Sequence, residues 1–353
     1  MAPPVRLVPS APAAMATGSL AALAELARAG QMGPMLRLGS LVRAHYRLCF
    51  AASAARSGVL SALTAGPRTA AEIAQAIGLG PADAEPLAAW LDLGVRIGEL
   101  DRGAGRYRLR GRFCRDLARE ANAPVAALAE EVAELHTQLL LETPARLAAG
   151  RRFALAEQRG ELVARSSTTL GPFVRAAIDA ALPHKGAVRL LEIGCGTGIH
   201  VLYAARRNPE LTACALELQT EVAELARANL RGWGLERRVE VECADVREKP
   251  ASPDFDLVTL HNNIYYFPIN ERPALLRHVR GFLRPGGALL VTTGCRGGSA
   301  LMELLNLWGA MTEGCGPLSE PGEIEQQLRG AGFERVERRS LIPREAFFAF
   351  TAR

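Results

Sequence analysis

A chain of 353 residues, 49% of them hydrophobic, is long enough and apolar enough to build two domains with full cores. No apolar run approaches the ~20 residues of a membrane-spanning helix, so no membrane partner is expected, and a formal net charge of +5 permits an anionic partner without demanding one. Seven cysteines, at 49, 114, 195, 214, 243, 295 and 315, are scattered without a C-x-x-C pair, which points to reduced, cytoplasmic thiols and neither a disulfide scaffold nor a zinc site.

Residues 1–18 are rich in Ala and Pro, carry Arg6 alone and lack a continuous apolar stretch. A disordered tail is expected there, and a secretory signal is not. Residues 18–62 are rich in Ala and Leu at helical spacing, with one stripe at Leu38, Leu41, Val42 and Tyr46 and another at Val59, Leu60 and Leu63. Gly66-Pro67 breaks that pattern, and Thr69-Ala70-Ala71-Glu72 is a capping box that starts a helix running to about Gly78. Pro81 opens a further helix whose buried face is Leu87, Trp90, Leu91 and Val95. Residues 97–100 and 106–109, around a turn at 101–105, read as a hairpin.

Helix, turn, helix and hairpin is the winged-helix order, which raises the question of DNA. From Pro81 to Gly94 there is no Lys or Arg, while Asp83, Glu85 and Asp92 are acidic, so phosphates would repel this helix. The arginines at 102, 106, 108, 110 and 112 are a basic cluster of the kind usually found on a solvated edge. Nucleic acid is not the expected partner. Further on, Val125, Leu128, Val132, Leu135 and Leu139 mark an amphipathic helix over 124–141 that is expected to join two domains. His136 in that helix reads as a packed or solvated histidine. Arg165-Ser166-Ser167 precedes a helix with apolar positions Phe173, Val174, Ala177, Ile178 and Ala181.

Residues 188–193 form an apolar run interrupted by Arg189 and Glu192, followed by Gly194, Gly196 and Gly198 alternating with small residues. That is a buried parallel strand ending in a tight turn, with a helix opening at Ile199. The pattern is E-x-G-x-G-x-G, not the G-x-G-x-x-G of a pyrophosphate site; Glu192 would repel a pyrophosphate and attract an ammonium group. Further strands follow at 211–217, 239–246 and 256–260, the first two ending in acids, Glu217 and Asp245. Arg284-Pro285-Gly286-Gly287 turns into a strand at 288–291. The whole resembles the class I S-adenosyl-L-methionine (SAM) methyltransferases. The resemblance implies that Gly194, Cys195, Gly196 and Gly198 wrap the methionine and ribose, with Glu192 near the amino group. It further implies that Glu217, followed by Leu218, accepts the ribose hydroxyls, and that Asp245 and Val246 meet the adenine.

Ligands of an open α/β sheet lie beyond the carboxyl ends of its strands, so His261-Asn262-Asn263-Ile264-Tyr265-Tyr266 should face the transferred methyl. His261 is the first candidate for a general base, and Tyr265 the second catalytic candidate. Many relatives of this type carry His-Asp-Trp in this region; this chain does not, which leaves His261 open to a role on adenosine or as a strand cap. Asn262, Asn263, Tyr265 and Tyr266 would orient an acceptor without proton transfer. Met302, Leu305, Trp308 and Met311 recur at helical spacing within 292–317 and read equally as core or as a wall over the strand ends. A helix over 323–332 and strands over 333–341 and 346–351 close the chain.

The fold expected is α/β: a Rossmann-like SAM methyltransferase sheet over 183–353, an α-rich winged-helix dimerisation domain over 19–120, and a helical linker over 121–182. The resemblance, over about 40–353, implies a small-molecule methyltransferase of secondary metabolism, with an aromatic or polyketide-like acceptor methylated on oxygen. It also implies a homodimer with SAM as cofactor and no metal. A SAM-binding DNA regulator, a carbon or nitrogen methyltransferase and a macromolecular one are the alternatives.

Overall fold

The computed structural model describes residues 14–353, so the tail assigned to 1–18 lies outside it except for its end, where helix α1 (Ala14–Arg28) begins. The described chain divides into two compact units, one ending at Ala118 and one spanning Arg119–Arg353. In the first, α1 is followed by α2 (Met32–Arg56) and α3 (Val59–Thr64), separated at Gly58. The expected stripe on α2 is mostly exposed: Leu41 is 66% accessible, Leu38 58% and Tyr46 47%, while burial begins only at Phe50.

Helix α4 (Ala70–Ala76) starts at the Thr69/Glu72 capping box, with both reciprocal bonds formed. Helix α5 (Ala84–Arg96) buries Leu87 and Leu91 and stacks Trp90 on Phe50 with ring centroids 4.3 Å apart. Gly94 allows that approach, since a Cβ there would lie 2.3 Å from Phe50 Cζ. The hairpin begins later than expected. Strand β1 (Leu100–Gly103) pairs with β2 (Arg106–Leu109) through a two-residue turn at Ala104 and Gly105, both with positive φ. That turn matches the twist of the strands and draws 101–103 into pairing, whereas 97–98 finish the preceding helix. Helix α6 (Arg112–Leu117) follows. Buried Glu99 ties this unit together, accepting from Arg47 and from the Cys114 N–H.

Three of the five clustered arginines are held in close ion pairs, while Arg110 and Arg112 are exposed. Arg102 pairs with Asp92 at 3.0 Å, Arg106 with Glu72 at 2.9 Å and Arg108 with Asp101 at 2.5 Å.

In the second unit a continuous helical stretch comprises α7 (Ala123–Glu131), a π-helical segment (Val132–His136) and α8 (Thr137–Ala148). Helices α9 (Gly160–Ser166) and α10 (Gly171–Ala181) follow. The stretch 121–182 thus lies within this unit. The sheet then alternates with helices: β3 (Arg189–Ile193), α11 (Ile199–Arg207), β4 (Thr212–Glu217), α12 (Thr220–Gly232), β5 (Val239–Cys243), β6 (Phe255–His261), α13 (Arg272–Arg280) and β7 (Leu283–Gly294). After α14 (Ala300–Met311) and α15 (Pro321–Gly330), β8 (Val336–Ser340) and β9 (Phe347–Ala352) complete it.

Among the described residues the sheet is seven-stranded, in the order β5-β4-β3-β6-β7-β9-β8, parallel from β5 to β7 and antiparallel at β9 and β8. Strand side chains alternate between two cores. Leu191, Ile193, Val258, Leu260 and Val291 pack with α13 and α15; Leu190, Ala215, Leu257 and Leu290 pack with α10, α11 and α12. The expected turn at 284–287 is absorbed into β7 as an irregularity, with the register shifting opposite Phe255/Leu257. No helix among the described residues is long and apolar enough to cross a membrane.

Candidate active site

Where β3 ends, Gly194, Gly196 and Gly198 all take positive φ, and the turn is held by Gly194 and Cys195 N–H groups donating to Leu216 O at 2.8 and 2.9 Å. Glu217, at the end of β4, is fixed from both sides. Its Oε2 accepts from Gly196 N at 3.0 Å and its Oε1 from Gln219 N at 3.1 Å, so the carboxylate stands upright over the turn with lone pairs to spare. Helix α9 closes over this turn: a Cβ on Gly160 would lie 1.8 Å from Gln219 Oε1.

These elements enclose a cavity of about 260 Å³. Gly194, Gly196, Glu217, Leu218, Asp245 and Val246, all named by the resemblance, line it together with His261, Asn263 and Tyr265. Glu192, Cys195 and Gly198 lie behind its wall. Gly198 faces Leu230 and Trp233 and starts α11, and Cys195 is buried in the adjoining core. Asp245 sits just past β5, where Arg247 bonds it through backbone and guanidinium. Its acidity is strengthened accordingly, first by that hydrogen bond.

Glu192 is 1% exposed, and its Oε1 has no hydrogen-bond partner. Burial, and then the charge of Glu217, pushes its carboxyl up to about 8. Beside it in register, Thr259 also has an orphaned buried hydroxyl.

Beyond β6 the chain enters a left-handed conformation at Asn262 (φ 55°), which asparagine tolerates, and this aims Asn263 back at the turn. Asn263 Nδ2 donates to Ile193 O and presses on Gly194, where a Cβ would lie 2.5 Å away. Its Oδ1 is buried without a partner. His261 is also buried, with Nδ1 2.9 Å from Thr292 Oγ1, Nε2 unpartnered, and its ring edge-on to His200 at 5.0 Å. Burial, reinforced by His200, holds the imidazole well below its ordinary range, so it is neutral. Its place is in the cavity beside Glu217.

Tyr265 and Tyr266 stack at 5.4 Å in the short turn Ile264–Tyr266 and contact Trp308 of α14. Burial pushes both phenols well above their ordinary range. The fully buried Arg272 secures this turn, donating to Phe267 O, Pro317 O and Ser319 Oγ. With Asn262, Val163 and Ser167, the two tyrosines also wall a second cavity of about 180 Å³. It is mainly apolar, lined by Leu128, Leu135, Leu139, Phe153, Met302, Leu305 and Trp308. The stripe on α14 is therefore both core and wall.

The polar groups of this second cavity were not anticipated. Glu131, His136 and Gln158 all line it, and His136 Nε2 lies 3.3 Å from Glu131 Oε1. Residues five apart do not meet on an α-helix; the π segment brings them together, and nothing in the local sequence announces it.

Residues 190–287 match the family described as "Methyltransferase domain". Demethylspheroidene O-methyltransferase of Rhodobacter capsulatus is 26% identical over 193 residues, which is 54% of this chain and 46% of that protein. The chain thus spans about half the length of that curated relative. Among solved structures, the mitomycin 7-O-methyltransferase MmcR superposes with a TM-score of 0.72 at 21% identity, covering 92% of this chain and 99% of that one. Human N-acetylserotonin methyltransferase in complex with SAM gives 0.69 at 18% identity, over 92% and 97%. At these identities the likeness is one of fold. The second unit carries a methyltransferase domain on a Rossmann-like sheet.

Proposed function

We propose that this chain is a SAM-dependent methyltransferase that methylates a small, mainly apolar acceptor on oxygen. One observation carries the reading: the cavity of Glu217 and the glycine turn shares its tyrosine and asparagine wall with a second, apolar cavity. A donor and an acceptor seated on either side of Asn262, Tyr265 and Tyr266 are held for in-line displacement, where positioning lowers much of the barrier. The matching domain and the O-methyltransferase names of the relatives support the same assignment.

The residues present fit SAM. Glu217 offers a fixed carboxylate to two vicinal hydroxyls, and Asp245 with Val246 offers an acceptor and an apolar face to an adenine. Asn263 and His261, which line this cavity, bring the buried, unpartnered Oδ1 and Nε2 to its wall as groups that could meet the polar end of SAM. SAM supplies an electrophilic methyl on a sulfonium. The chain itself orients that group, excludes water through the two tyrosines and Trp308, and holds the acceptor. Gly194, Cys195, Gly196 and Gly198 shape the turn, Leu218 covers its rim, and Tyr265 positions reactants as a neutral phenol.

The first unit is read as a winged-helix domain that makes a homodimer through α1 and α2, where exposed Leu38, Leu41 and Tyr46 share one apolar face of α2. The ion-paired arginines of the hairpin speak against nucleic acid. The free cysteines support a cytoplasmic location. The test is calorimetry with SAM, followed by incubation of methyl-labelled SAM with neutral hydroxylated aromatics and location of the methyl by mass spectrometry. Absence of SAM binding by the folded chain ends the proposal.

A further inference from the structure

We propose that Glu131 and His136 form the seat of the acceptor hydroxyl, and that His136 takes its proton; this rests on the methyltransferase reading and names the acceptor class as a neutral, apolar, hydroxyl-bearing molecule. The pair exists because of the π segment Val132–His136. A π turn closes on the fifth residue, so Glu131 and His136 come onto one face, and Thr137 Oγ1 bonds back to Val132 O at 3.1 Å in the same register. Such segments are rare and cost regular helical bonding, so one that aims two ionisable groups into a cavity calls for a role.

The geometry supplies the parts of a general base. Ser166, buried at 3% exposure, donates to Glu131 Oε2 and fixes the carboxylate. The other oxygen faces His136 Nε2 at 3.3 Å, with side chains only 16% and 17% exposed. Facing a carboxylate, Nε2 carries the proton, which leaves Nδ1 with its lone pair and no other hydrogen bond among the described residues. When an acceptor hydroxyl meets Nδ1, the O–H bond breaks with its pair on oxygen and the proton passes to Nδ1. The imidazolium is balanced by Glu131. The oxygen pair makes the new bond to the methyl carbon as the carbon–sulfur pair is left on sulfur.

The rest of the cavity selects the class of acceptor. No Lys or Arg among the described residues lines it, and its other carboxylate, Glu157, is tied to Arg146 at 2.7 Å. An anionic acceptor would lose its hydration there without a cation to replace it. His261 is less suited: it lines the other cavity, Thr292 occupies its Nδ1, and its Nε2 is buried.

The test uses the full chain saturated with S-adenosylhomocysteine and three matched probes: 4-nitrophenol, 4-nitroanisole and 4-nitrobenzoate. The phenol should bind about tenfold or more tighter than the ether, as expected for a hydrogen bond to an imidazole backed by a carboxylate, with the benzoate weakest. Bound 4-nitrophenol should show its phenolate absorption band at a pH where the free probe is largely neutral. His136→Gln and, separately, Glu131→Gln should remove both the preference and the band while S-adenosylhomocysteine binds as before. Four results overturn the proposal: a band that survives both variants, tightest binding of the benzoate, a band lost in His261→Ala but kept in His136→Gln, or no probe bound by a chain that still binds S-adenosylhomocysteine. Failure to bind S-adenosylhomocysteine would instead remove the methyltransferase reading beneath it.

Discussion

Replacing Glu192 by Gln should stabilise the free protein, and the gain should grow with pH. In the unfolded chain this carboxyl ionises at the ordinary 4.5, whereas in the fold it holds its proton up to about 8. Between those values unfolding releases a proton, so the stability present below 4.5 is lost as pH rises towards about 8. Each unit in that window costs about 1.4 kcal/mol, so going from about pH 5 to pH 7 removes about 3 kcal/mol that a glutamine would not lose. Any fixed packing difference between Glu and Gln cancels when the two pH values are compared. For a unit the size of Arg119–Arg353, that difference corresponds to roughly 6–12 °C in Tm. Scanning calorimetry of both proteins at the two pH values measures it directly. A Tm gap of the same size at both would refute the protonated, unpartnered carboxyl.

Glu217→Ala removes the fixed carboxylate over the glycine turn and should weaken SAM binding about tenfold to several hundredfold, since hydrogen bonds to charged groups contribute about 1.5–3 kcal/mol each; unchanged affinity by calorimetry would refute the ribose assignment. His261→Ala should lower SAM affinity and keep most of kcat at saturating SAM, because burial makes the imidazole a weak base and it lines the cavity of Glu217; a loss of ~10²-fold or more in kcat with normal SAM affinity would restore it as the base. Leu38→Glu with Leu41→Glu should turn a dimer into monomers in light scattering, as charges are placed on the exposed face of α2, and a wild-type chain that is monomeric at micromolar concentration would remove the dimer altogether.

Local chemistry written into consecutive residues was legible in the sequence. The Thr69/Glu72 box, the apolar strand into Gly194, and the acids that end or follow β4 and β5 each announce themselves within a few residues, because caps, parallel strands and glycine turns are short-range devices. Six of the nine expected cofactor positions line the cavity for the same reason, since strand ends of a parallel sheet converge on one edge. What the sequence could not determine is which way a side chain faces once neighbours compete for space. Alternation along β3 put Glu192 behind the wall, and helix packing left the α2 stripe outside the core of its own chain. The two-residue turn at 104–105 drew residues assigned to a loop into β1. Most of all, the meeting of Glu131 with His136 depends on a single π turn in a helix whose periodicity looks regular, and only packing against Ser166 and the cavity selects it over the α-helical register.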